Sequence, residues 1–271
     1  MSGEALTGPL WFDVMAVMVK RIIPLAFCLA ALASMVTAGE LPPGPITPYY
    51  LTAGEQGKDW VVQVDAVIDS WNQQHKQGVG EYAIAVTDSV RELGSFYQNT
   101  TSAGSQYTLN GAYTGTNYPY PMTQVAFWDG ASDGIYNYSV EFNHGGVYRF
   151  NANWTAPTLL FPTDNDYLGI TFDTEKKTFW IAKFHTGIIE NRSPQGQVLS
   201  SFNVPFTGIS CLAIDPADRT LWMGSQNTEG VFYQYSQAGA QLSTRTYTAL
   251  LNQNTLGGEF PQPTPAPTPN I

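Results

Sequence analysis

The chain has 271 residues, of which 43% are hydrophobic, 13% aromatic and only 13% charged, with a formal net charge of −10. A substantial core is available, and 25 Gly, 18 Pro and 15 Tyr favour turns and aromatic strands over helices. This acidic balance offers no basic footprint for a phosphate backbone and excludes nucleic acid as a partner.

In chain order, Lys20-Arg21 precede an apolar run, Ile22 to Val36, which closes in Val36-Thr37-Ala38 before Gly39. A basic start, a short apolar middle and small residues at −3 and −1 predict a secretory signal peptide over residues 1–38. The run is too short and wrongly flanked for a stable span, so no transmembrane segment is expected in the mature chain. Met18 would put the basic pair at the terminus, which makes residues 1–17 a candidate upstream mis-start. Phe27 before Cys28 argues against a lipoprotein site. Cys211 is then the one thiol of the mature chain; it cannot form an internal disulfide and reads as a small buried hydrophobe.

Residues 39–48 are a Pro-rich linker, and residues 49–260 read as one repeated β domain. Tyr49 to Thr52, Trp60 to Val64 and Ala66 to Trp71 give a shortened first unit, in which Trp60 is expected to hold the slot of later tryptophans. Asn72 to Gly80 is polar and reads as a loop. A second unit starts at Tyr82, and a third covers Val125 to Phe161. GSQYTLNGAYTGT at Gly104 and GGVYRFNANWTAP at Gly145 align without a gap, 41 residues apart.

From Tyr167 to Gln241 the sequence says nearly the same thing twice. Asp173 recurs as Asp215 and Trp180 as Trp222, both 42 residues on, and Gly196 recurs as Gly239 after 43. Each copy reads as four short β-runs separated by Asp, Pro and Gly turns. Four strands at this period predict a β-propeller of about five blades, or four if the first unit is not counted. Leu256 stands 42 residues after Ile214, so Thr255 to Phe260 is expected to add a strand that closes the ring. Residues 261–271 form a Pro/Thr-rich tail.

The segments YYLTAGEQG, EYAIAV, GSQYTLNGAYTGT, LGITFD, CLAIDPADRTLWMGSQN and NTLGGEF resemble secreted bacterial proteins with propeller-type repeats. Many of those carry a C-terminal PEP sorting signal; the Pro-Glu-Pro triplet, terminal apolar span and basic cluster are not found here. The resemblance implies a propeller outside the cytoplasm, in the periplasm or at the cell surface, and no particular activity.

No GxSxG, HExxH, Walker or CxxC motif occurs, and the chain has three histidines. Asp129, Asp173 and Asp215 are read as turn-formers at the end of the first strand of their blades. The recurring Trp60, Trp154, Trp180, Trp222, Tyr148 and Tyr233 are read as packing between blades, with a sugar platform as the alternative. His144 and His185 hold the same blade position, in the turn between second and third strands, where the next blade has Asn227 and Glu229. Asp164 and Asp166 sit on a connection at the same end. These six are the candidate binding residues. They could hold a polar ligand or a metal, or merely occupy solvated turns. The expectation is a monomeric, non-catalytic binding or scaffold propeller without cofactor, taking a protein or carbohydrate ligand. The competing reading is a propeller lactonase or lyase with a polar or metal site at the axis.

Overall fold

The protein is seen as a computed structural model, which describes residues 47–55, 58–65, 70–73, 80–97 and 100–263. The expected signal peptide, most of the linker and the end of the tail lie outside the described residues.

Among the described residues every element but one 3-10 turn (Thr248–Leu250) is a strand. β1 (Tyr49–Glu55), β2 (Lys58–Asp65) and β3 (Ser70–Gln73) run antiparallel in one sheet, so the polar stretch from Asn72 begins inside a strand. The next sheet starts with β4 (Glu81–Val86) and β5 (Ser89–Gly94). A small hairpin, β6 (Phe96–Tyr97) and β7 (Thr100–Thr101), interrupts it before β8 (Gly104–Thr108) and β9 (Tyr113–Tyr118) complete it. β10 (Phe127–Ser132), β11 (Tyr136–Glu141), β12 (Gly146–Asn151) and β13 (Thr158–Phe161) form the third sheet. β14 (Tyr167–Asp173), β15 (Thr178–Lys183), β16 (Ile188–Arg192) and β17 (Val198–Asn203) form the fourth. β18 (Ile209–Ile214), β19 (Leu221–Ser225), β20 (Val231–Tyr235) and β21 (Gln241–Thr246) form another.

The last strand, β22 (Asn254–Glu259), does not start a new sheet. It pairs antiparallel with β1, so that sheet reads β22-β1-β2-β3. Four sheets are thus each cut from one continuous stretch of chain, and a further one is assembled from both ends of the domain. The first strands β4, β10, β14 and β18 pack side by side with β22, which returns to β4 and closes the circuit. This is a β-propeller. Its seam is the expected one, from Thr255 onward, and it pairs the edge of β1 that would otherwise be open.

Large apolar side chains fill the wedges between blades. Trp180 packs with Leu212, Ile214 and Met223 of the following blade, and Trp222 packs with Tyr49, Leu51 and Phe260 of the closing one. Tyr138 stacks on Phe172 across the wedge between the third and fourth sheets, with ring centroids 5.2 Å apart. The pairing register explains the repetition. Trp180 faces Thr171, Trp222 faces Ala213, Tyr138 faces Ala131, and Tyr50 faces Glu259, all at one level of the first strand. Trp60 therefore does not hold the tryptophan slot. Because β22 takes the first position in its blade, β1 becomes the second strand and Tyr50 fills that place, while Trp60 falls on the third strand opposite Ala53.

The domain also reaches beyond its expected limits. Thr47 donates from its hydroxyl to Asp215 Oδ1 at 2.5 Å, and Gln262 is buried, its N–H bonded to Val86 O at 2.9 Å.

Candidate functional site

The first strands share a local device. Each pairing of a first with a second strand slips register near the same level: between Tyr167 and Gly169, Ile209 and Cys211, Phe127 and Gly130, Glu81 and Ile84. The seam pairing slips as well, between Thr52 and Ala53. A bulge takes a backbone N–H out of the ladder and re-aims it. Here the N–H groups of Gly130, Ile170, Leu212 and Gly258, beside four of these slips, converge on one point at the axis.

What meets them is Asp129, fully buried on β10. Its Oδ1 accepts from Gly130 N at 2.8 Å and Gly258 N at 2.9 Å. Its Oδ2 accepts from Ile170 N at 2.9 Å and Leu212 N at 2.8 Å. One carboxylate thus joins β10, β14, β18 and β22. Burial pushes its pKa well above the ordinary carboxylate range, while the four N–H groups pull it back. Asp129 is therefore not a turn-former. That role belongs to Asp133, whose Oδ1 accepts from Ile135 N and Tyr136 N, as Asp173 accepts from Glu175 N and Lys176 N. Counting back from these turn aspartates aligns Asp129 with Gly169 and Cys211; the repeat length alone hid the four-residue offset.

Around the axial carboxylate lie further buried polar groups. Glu259 accepts from Phe260 N, Gln262 Nε2 and the Thr171 hydroxyl. Burial raises its pKa well above the usual range, and the nearby Asp129 charge adds to the effect. Of the two, Asp129 has the fuller set of donors and is the better placed to carry charge. Cys211 is buried as expected, with Gly224 N 3.2 Å and the Tyr49 hydroxyl 3.7 Å from its sulfur. Burial first, then the Asp129 charge, pushes its thiol far above the ordinary range.

The predicted binding residues occupy one end of the propeller. His144 lies between β11 and β12, His185 between β15 and β16, and Asn227 with Glu229 between β19 and β20. The connection bearing Asp164 and Asp166 lies against two of these turns. A Cβ on Gly145 would fall 2.2 Å from Thr163 O, and Phe184 N donates to Asp166 O at 2.7 Å. His185 pairs with Asp166, its Nδ1 2.6 Å and its N–H 3.1 Å from Oδ1. Asp164 pairs instead with Lys183 at 2.5 Å.

His144 is tied to the buried Glu141, a residue the sequence pattern did not single out. That carboxylate accepts from Asn143 N, His144 N and Ala126 N, so it organises the turn. Asn227 donates to the Thr207 hydroxyl at 3.1 Å, and Glu229 is half-buried beside it in sequence. Among the described residues no hydrogen bond or ion pair links the two histidine turns to each other or to Asn227 and Glu229. No group of three His, Cys, Asp or Glu side chains suited to a metal occurs among them.

At the opposite end a cleft of about 380 Å³ lies between two blades, lined by Glu175, Lys176, Asp218, Arg219, Ser236 and Gln237. Its cations are already paired: Arg219 with Asp173 and Glu175, and Lys176 with Gln237.

No family model matches the chain, and no curated protein matches it. Among solved structures it is similar to a protein of unknown function from Bacteroides caccae, at 14% identity and TM-score 0.46, covering 74% of this chain and 73% of that one. It is similar to a chain of a nidogen/laminin complex, at 12% identity and TM-score 0.50, covering 78% and 97%. It is also similar to virginiamycin B lyase from Staphylococcus aureus, at 18% identity and TM-score 0.41, covering 60% and 54%. At these identities the likeness shows the fold alone. No helix of the described residues is long and apolar enough to cross a membrane.

Proposed function

We propose that this chain is an extracytoplasmic binding or scaffold propeller without catalysis. The observation that carries the reading is the state of the axis. An axial lactonase or lyase needs a polar group there that is free to meet substrate. The axial carboxylate, Asp129, is fully buried, and both of its oxygens are occupied by backbone N–H groups. Four bonds of this kind leave it no lone pair for a ligand. The turn face carrying His144, His185 and Asn227 is open to solvent, a surface suited to contact rather than chemistry.

The test is an elemental scan of the purified mature protein, with thermal melts before and after chelator. The reading expects no stoichiometric metal and an unchanged melting temperature. One tightly held metal per chain, with a melting temperature lowered by chelation, would favour the enzyme instead. Placement outside the cytoplasm rests on the basic pair and apolar run of residues 20–38. Protein recovered from a secretion host should begin at Gly39; exported protein with residues 1–38 intact would overturn that part.

A further inference from the structure

The bulges that aim N–H groups at the axis occur in several blades, but an acidic side chain at that level occurs on β10. The corresponding residues are Gly169 on β14 and Cys211 on β18, and on β22 the register of Gly258 puts Gly257 there. The scaffold therefore builds a ring of converging donors, and a single residue fills it. Every hydrogen bond to the Asp129 side chain comes from a donor, two on each oxygen, between 2.8 and 2.9 Å. Four inward N–H groups with no acceptor among them are the geometry of an anion receptor, as in backbone nests.

We infer that the centre of this propeller is a binding site for a small monovalent anion, occupied by the protein's own carboxylate. We further infer that this internal ligand is what latches the C-terminal strand β22 into the ring. Gly258 is the donor that matters for the latch. It stands 129 residues from Asp129 in sequence, and it belongs to the strand that arrives last. Two of the other donors to Asp129, Ile170 and Leu212, belong to blades already complete without either chain end. The seam is thus held by β1 on one side and, on the other, by the axial anion together with the Thr171 hydroxyl on Glu259 and the Ser210 hydroxyl on Thr255 O.

The chemistry predicts which substitutions can be repaired. Asp129→Gly removes the carboxylate, leaves a backbone that Gly169 shows to be tolerated at that level, and opens a cavity of carboxylate size facing four donors. Formate, a free carboxylate of matching shape, should refill it. Asp129→Asn fills the space but turns an amide N–H₂ toward two of the N–H groups, so formate should not help it.

The experiment is a thermal melt of wild type, Asp129→Gly and Asp129→Asn in sodium formate, with sodium sulfate at matched ionic strength as control. Both variants should melt about 10 °C or more below wild type, as expected when a buried charged partner is lost. Formate up to about 0.3 M should recover at least half of that loss for Asp129→Gly, through binding to the folded state alone. Hydrogen exchange should show protection of residues 254–259 lost in the variant and regained with formate. Three results would each overturn the inference. One is an Asp129→Gly protein as stable as wild type. Another is recovery as large in sulfate, or as large for Asp129→Asn. The last is failure of Asp129→Gly to fold even in formate.

Discussion

At the scale of single residues, burial separates the side chains that build the propeller from those that decorate it. Trp222 is fully buried in the wedge between its own blade and the closing one, among Tyr49, Phe232 and Phe260. Trp222→Ala leaves a cavity that neighbouring blades cannot collapse into, at a cost of about 3–5 kcal/mol. That is a large part of a domain stability of about 5–15 kcal/mol. The His185 side chain, 66% exposed and paired with one carboxylate, should cost less than about 0.5 kcal/mol when cut to Ala. A denaturant melt of the two variants checks the contrast. Equal small losses would remove the tryptophan from the core and revive the aromatic ligand platform.

At the scale of elements, the turn between third and fourth strands has a job beyond reversing the chain. Gly196 and Gly239 both take left-handed backbone, at φ of 85° and 86°. A Cβ at either would lie 2.7 Å from the side chain of Phe161 or Phe202 in the preceding blade. The turn is a foot planted on its neighbour. The third sheet solves the same turn differently. Trp154 sits at the aligned position with φ of 59°, is fully buried, and meets Phe150 edge-on at 5.3 Å.

Gly239→Ala combines an unfavourable φ with overpacking against Phe202, and should cost about 2–4 kcal/mol. Ala238→Gly in the same turn, without that contact, should cost a fraction of it. Melts of both variants check this, and similar losses would mean the foot carries no load. The recurrence of Gly196 as Gly239 was legible in the sequence, because turn residues recur at fixed spacing. The axial role of Asp129 was not. An aspartate four residues before the turn looks like another turn aspartate until the bulge, a feature of strand pairing, shows where it points.

At the scale of the whole molecule, repetition made the architecture readable while the closure hid the register. The 41–43-residue spacings report strands within a blade, and those were recovered with nearly the right ends. The spacing cannot say which strand of the N-terminal unit is first, since that depends on a partner some 200 residues away; Thr52, for example, bonds Gly257 O across 205 residues. Hence Trp60 looked like the third tryptophan of a series that Tyr50 in fact completes. The candidate face was legible as a set of turns at one end, since alternation of strands fixes which turns share an end. Its pairings were not, because Glu141, Thr207 and Lys183 carry no pattern of their own.

The seam also changes what an end means in this protein. In most folds the last strand is periphery, and trimming it frays a border. Here β22 is the innermost strand of its blade, and it carries one of the four N–H groups on Asp129. A stop codon just before Asn254 would therefore not shorten the molecule from outside. It would remove part of the hub, leaving the Asp129 carboxylate one donor short and β1 an open edge, with every other blade intact in sequence and no ring to belong to.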